Sequence, residues 1–146
     1  MESITVKENI LLPAILDKQD TKKAEERMNP FFKILRIEHL LAKLPHELSI
    51  GEKQRAAICR ALMNEPQIII ADEPTGNLDS NAGAEVIKIF QRINQELEIT
   101  IVMITHDSKV AQAANEIIFL KDGQIYDRFS NRVGSESQIA EKMLEV

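Results

Sequence analysis

The stretch Ile68 to Asp79 constrains this chain more than any other. It reads Ile-Ile-Ile-Ala-Asp-Glu-Pro-Thr-Gly-Asn-Leu-Asp. A short apolar run bounded by turn residues predicts a strand buried on both faces, as in a parallel sheet. Two adjacent carboxylates, Asp72 and Glu73, follow without a break. Charges are rarely kept in an interior unless they bind a metal or do chemistry. Their natural place is the carboxyl end of the strand, where open parallel sheets bind ligands. There one carboxylate can hold Mg²⁺ and its neighbour can take a proton from water.

With 146 residues the chain is long enough for one domain with a real core, and its 44% hydrophobic and 28% charged content is that of a soluble globular protein. The net charge of −5, with no basic stripe interleaved with aromatics, argues against a nucleic-acid partner. Cys59 is the single cysteine, which rules out an internal disulfide, and its place in an expected helix beside Ile58 and Ala61 favours a small packed residue over the alternative of a reactive thiol. No segment has the apolar length needed to span a bilayer. Met-Glu-Ser-Ile-Thr lacks the pattern of a signal peptide, so a cytosolic location is expected unless a partner recruits the chain to a membrane.

The first half of the chain is helical in pattern. Thr5 and Glu8 have capping-box spacing and open a helix through Ile10 to Leu12, which Pro13 should kink or interrupt. A second helix is expected from about Thr21 to Leu35, with Pro30 against it. A short helix and a loop follow over 36–48, and a third helix spans about Gly51 to Met63, stopped by Asn64 and Pro66. The pattern then becomes α/β. Strand 68–72 leads to a helix over Ser80 to Leu97, with Val86, Phe90, Ile93 and Leu97 on one face. A second β-branched run, Thr100 to Thr105, completes a βαβ unit. A short helix near Ser108 to Ala114 precedes strand 116–120. Asp122-Gly123 signals a hairpin returning along Gln124 to Phe129, and the tail from Ser130 is polar, then weakly helical.

If the two strands are parallel neighbours, Asp72 and Glu73 lie near His106 and Asp107 at one sheet rim. Asp72 could then hold Mg²⁺, Glu73 activate water and His106 contact a phosphate. The structural alternative is that Glu73 opens a turn with Pro74 and His106 caps the next helix. Adjacent buried charges need a compensating ion, which favours the functional reading. Leu48-Ser49-Ile50-Gly51-Glu52 opens the third helix, with Ser49 and Glu52 again at capping-box spacing. Such a helix start also offers free N–H groups to an anion, although many helices begin this way.

Taken together, these segments resemble the nucleotide-binding subunit of ABC transporters. Leu48 to Arg55 resembles the signature motif, Ile68 to Glu73 the Walker B strand, Gly76-Asn77-Leu78-Asp79 the D-loop, and Ile104 to Asp107 the switch-histidine loop. The likeness covers about residues 4 to 128 and is greatest for exporter-type ATPases paired with permeases for lipoproteins, macrolides or antimicrobial peptides, the peptide-resistance branch above all. It implies an α/β fold that is part of the P-loop NTPase (ABC ATPase) cassette. A helical signature subdomain would occupy 1–66. Part of the parallel-sheet core, ending in a β-hairpin, would occupy 67–130, and a tail 131–146. The implied site residues are Glu73 and His106 as catalytic groups, Asp72 on Mg²⁺, and Ser49, Gly51, Glu52 and Asp79 on ATP. The implied partners are a membrane permease and a second ATPase subunit, in a homodimer or with a full-length subunit, on the inner face of the cell membrane.

The chain departs from the family pattern at two places. Nothing in it matches Gly-x-x-x-x-Gly-Lys-Ser/Thr, and the Q-loop glutamine is also missing, so the chain is expected to begin partway through the domain. Ile50 stands where the signature has a glycine, and a β-branched residue resists positive φ and blocks close approach to a phosphate. Glu52, in place of glutamine, sets a negative charge near a triphosphate. The expectations are weak ATP binding by the chain alone and an uncovered apolar strand edge. A non-catalytic module docking through 1–66, or the product of a decayed gene, remains open.

Overall fold

A computed structural model of the protein describes residues 3–130 and 136–145. The chain divides into two compact units. One comprises Met1–Ile70 with Pro74–Val102, the other Ala71–Glu73 with Met103–Val146.

The first unit is mainly helical, with α1 Val6–Leu16, α2 Thr21–Ile34, α3 Ile50–Ala61 and α4 Ser80–Leu97. Each helix starts at a residue chosen for the purpose. Thr5 closes a full capping box with Glu8, Asp20 accepts from the N–H groups of Lys22 and Lys23, and Asp79 accepts from those of Asn81 and Ala82. The amino end of α1 also donates Val6 N–H to the Lys43 carbonyl and Lys7 N–H to that of Leu41. These bonds pin the loop before α3, which contains two 3₁₀ turns, Glu38–Leu40 and Pro45–Glu47. The core takes Val6, Ile10 and Ala14 from α1, Ala24, Met28 and Phe32 from α2, and Ile58 and Cys59 from α3; Leu35, Ile37 and Leu40 come from the segment after α2. The helix expected to be kinked or interrupted at Pro13 runs on through it, and the second helix forms despite Pro30. Both prolines lie inside their helices, close to the carboxyl ends. Each removes one hydrogen bond, and burial of neighbours such as Ala14, Met28 and Phe32 offsets that loss.

Cys59 is packed in this core, and burial pushes its thiol up to about 12. The folded chain should therefore resist iodoacetamide at pH 8, where the thiolate fraction is negligible, and react only when urea exposes the residue. Rapid stoichiometric labelling of the folded chain would show that the burial is wrong.

Two strands pass from one unit to the other, β1 Ile68–Asp72 and β2 Thr100–Ile104. They are hydrogen-bonded neighbours and run parallel. Thr100 N–H donates to the Gln67 carbonyl at their starts, and Glu73 N–H donates to the Ile104 carbonyl at their ends. The sequence predicts burial of β1 on both faces, and the structure corrects this. Ile69 and Ala71 are buried, whereas Ile68 and Ile70 are 56% and 71% exposed, because successive side chains point to opposite faces and only one face is covered among the described residues. Val102 is also exposed, so the uncovered apolar surface is a sheet face and not merely an edge.

The second unit holds the short helix α5 Ser108–Ala111, the antiparallel hairpin β3 Glu116–Lys121 and β4 Gln124–Ser130, and α6 Glu136–Glu145. Asp122 and Gly123 both have positive φ (51° and 76°), as a two-residue hairpin turn requires. A register shift follows Phe119. Ala111, Ile117, Phe119 and Ile139 form the small core, with Ala114, Phe129 and Met143 packed around it. The expected helix near 108–114 is shorter than predicted, and the start of the polar tail, 131–135, lies outside the described residues.

Candidate functional site

The carboxyl end of β1 brings Glu73 to the turn that follows β2. Glu73 leaves the strand with φ +43°, an uncommon conformation for a residue with a side chain, while its N–H still donates to Ile104. Its side chain is thereby turned onto the segment 105–106. Glu73 Oε1 accepts from the His106 N–H at 3.1 Å and lies 2.7 Å from His106 Nδ1. Glu73 Oε2 lies 3.4 Å from the Thr105 hydroxyl. The Glu73 side chain is 37% exposed and that of His106 87%. When Glu73 is ionised it accepts from Nδ1–H.

The sequence reading puts Asp72 and Glu73 inside the protein with an ion to compensate them. The structure instead leaves Asp72 exposed and Glu73 half-exposed. Their presence therefore needs no buried counterion, and the case for a metal rests on donor chemistry. Among the described residues no three His, Cys, Asp or Glu side chains form a metal-binding group. Mg²⁺ delivered with phosphates needs only one or two protein carboxylates, and the exposed Asp72 at a strand end fits that requirement.

Ser49, Gly51 and Glu52 share the first turn of α3 in the helical unit. Ser49 is the N-cap and forms a complete capping box. Its N–H and its hydroxyl both donate to Glu52 Oε2 at 2.8 Å, and the Ser49 hydroxyl accepts from Glu52 N–H at 3.3 Å. These two donations hold the Glu52 carboxyl below the usual carboxylate value. Gly51 sits against the start of α4, where an added Cβ would meet Ala82 at 3.7 Å and Leu78 at 3.9 Å, ordinary contact distances. Among the described residues, nothing therefore forces glycine there. Asp79 caps α4 beside this turn. The expectation about Ile50 needs correction. It lies in the helix with a negative φ, so positive φ is not demanded of it, and its side chain is 57% exposed at the helix start.

Asp107, and not His106, caps α5, through a bond from Lys109 N–H. Sequence reasoning missed Thr105. A hydroxyl beside His106 was its signal, but only the pairing of β1 with β2 shows that it meets Glu73.

The family model "ABC transporter" matches residues 1–76. The bacitracin export ATP-binding protein BceA of Halalkalibacterium halodurans is 44% identical over 138 residues, which cover 94% of this chain and 54% of that protein. Among solved structures, the dimeric bacterial ABC transporter cassette MJ0796 aligns with a TM-score of 0.77 at 36% identity, covering 90% of this chain and 59% of that one. The same cassette in a post-hydrolysis state, bound to ADP and Pi, aligns with a TM-score of 0.74 at 34% identity over the same shares. The chain belongs to the ABC transporter ATP-binding family, and its fold is part of the α/β cassette of those ATPases. It spans about half the length of the relatives it matches. No helix among the described residues is long and apolar enough to cross a membrane.

Proposed function

We propose that this chain serves as an ATP-binding and ATP-hydrolysing subunit of an ABC transporter that drives export through a partner permease. One observation carries the reading: the Glu73 carboxylate held 2.7 Å from the His106 ring at the ends of two adjacent parallel strands. Glu73 is the base that takes a proton from the attacking water. With both ring nitrogens protonated, His106 would donate Nδ1–H to Glu73 and Nε2–H to a phosphate oxygen. Asp72 would hold Mg²⁺, which when bound neutralises charge on the phosphates. Ser49, Gly51 and Glu52 present the start of α3 to the triphosphate of a second subunit, and Asp79 belongs to the same subunit contact. Residues 1–66 form the signature-bearing part and 67–130 the part with the base, with 131–146 as a tail. Work on the inner face of the cell membrane, against a permease and a second ATPase subunit, follows from this reading. The relative named for bacitracin export favours a peptide exporter.

The 146 residues contain no Gly-x-x-x-x-Gly-Lys-Ser/Thr loop. A second reading takes the chain as a docking or regulatory module of such an ATPase. The two readings are separated by assembling the chain with its permease and measuring ATP turnover that depends on it. The pure chain should bind Mg-ATP only weakly, with Kd in the millimolar range or above, because the main phosphate grip is not among its residues. Micromolar binding in a calorimetric titration would contradict this account.

A further inference from the structure

We infer that Thr105 is a positioning residue that aims the Glu73 carboxylate, an assignment that rests on the role proposed for Glu73. A carboxylate acting as a base must keep one rotamer, since small misplacements cost rate. Glu73 Oε1 is held by the His106 N–H and by His106 Nδ1, but both contacts fall on the same oxygen and leave the carboxylate able to swing about Oε1. Thr105 is placed to stop the swing, because its hydroxyl oxygen lies 3.4 Å from Glu73 Oε2, across 32 residues of sequence. The same oxygen accepts from Asp107 N–H at 3.1 Å. That bond uses a lone pair and leaves the hydroxyl proton free to point at Oε2. The Asp107 contact alone would be a local turn capping the start of α5. The contact with Glu73 goes beyond this, and it ties the turn after β2 to the residue after β1.

The two roles separate in amide exchange measured by NMR on the full chain. In Thr105→Val, and in Thr105→Ala should the valine variant not fold, a positioning role predicts roughly three- to tenfold faster exchange at both the His106 and Asp107 amides. The His106 amide responds because its acceptor, Glu73, is no longer held. Thr105→Ser should restore both. Faster exchange at Asp107 alone would overturn the inference and leave only the turn. In the assembled ATPase, Thr105→Val should lower kcat about tenfold with KM for ATP within twofold, and serine should recover it. Unchanged kcat in Thr105→Val, with turnover abolished in Glu73→Gln, would refute Thr105 and spare Glu73. Turnover surviving Glu73→Gln would instead remove the catalytic reading, and the exchange measurement would still decide whether Thr105 holds the carboxylate.

Discussion

Glu73→Gln is expected to lower ATP turnover of the assembled transporter by roughly 10²- to 10⁴-fold, the contribution typical of a positioned general base. Glutamine matches glutamate in size and keeps an oxygen able to accept from the His106 N–H, so the turn after β2 should survive. It cannot take a proton from water. ATP binding should change little, because Glu73 is not among the residues placed on the triphosphate, and the loss should therefore appear in kcat and not in KM. Single-turnover hydrolysis with purified, reconstituted protein is the measurement. A variant retaining more than about a third of wild-type turnover would strip Glu73 of its role and leave the 2.7 Å contact with His106 as a structural ion pair.

Local signals in the sequence proved readable wherever a short-range hydrogen bond decides the structure. The capping boxes at Thr5–Glu8 and Ser49–Glu52 and the turn at Asp122-Gly123 involve residues one to three apart, and all are present. The convergence of Glu73 with His106 was also legible, since two β-branched runs joined by one helix leave parallel pairing as the simple solution. What failed depends on surroundings the sequence does not specify. An all-apolar strand says that both faces suit burial, not that both are covered, and Ile68 and Ile70 remain exposed. Pro13 and Pro30 read as breakers on propensity, but tertiary burial around them outweighs one lost hydrogen bond each. The positive φ of Glu73 could not be foreseen either. It arises where the chain leaves β1 while its N–H still completes the ladder to Ile104. The role of Thr105 depends on that same geometry.

The neighbouring phenylalanines of α2 give the second large effect. Phe32 is 2% exposed, one of the run Met28, Phe32 and Leu35 that α2 and its cap bury at helical spacing. Phe31, one residue earlier and about 100° around the helix, is only half-buried and lines a shallow groove with Ile34, Arg92 and Leu97. Phe32→Ala removes an enclosed ring and should cost about 3–5 kcal/mol. This is a large share of the roughly 5–15 kcal/mol that holds a typical domain folded. Phe31→Ala removes the same atoms from a site already open to water, and it should cost about 1 kcal/mol, near the centre of ordinary substitutions. The two variants have identical composition and nearly identical helix propensity, so their difference isolates burial. Urea unfolding followed by circular dichroism at 222 nm should show the midpoint of Phe32→Ala well below that of Phe31→Ala, with equal slopes. Equal midpoints would mean that α2 does not turn Phe32 into the core. The packing that carries the start of α3, with Ser49 and Glu52, would then have to be redrawn.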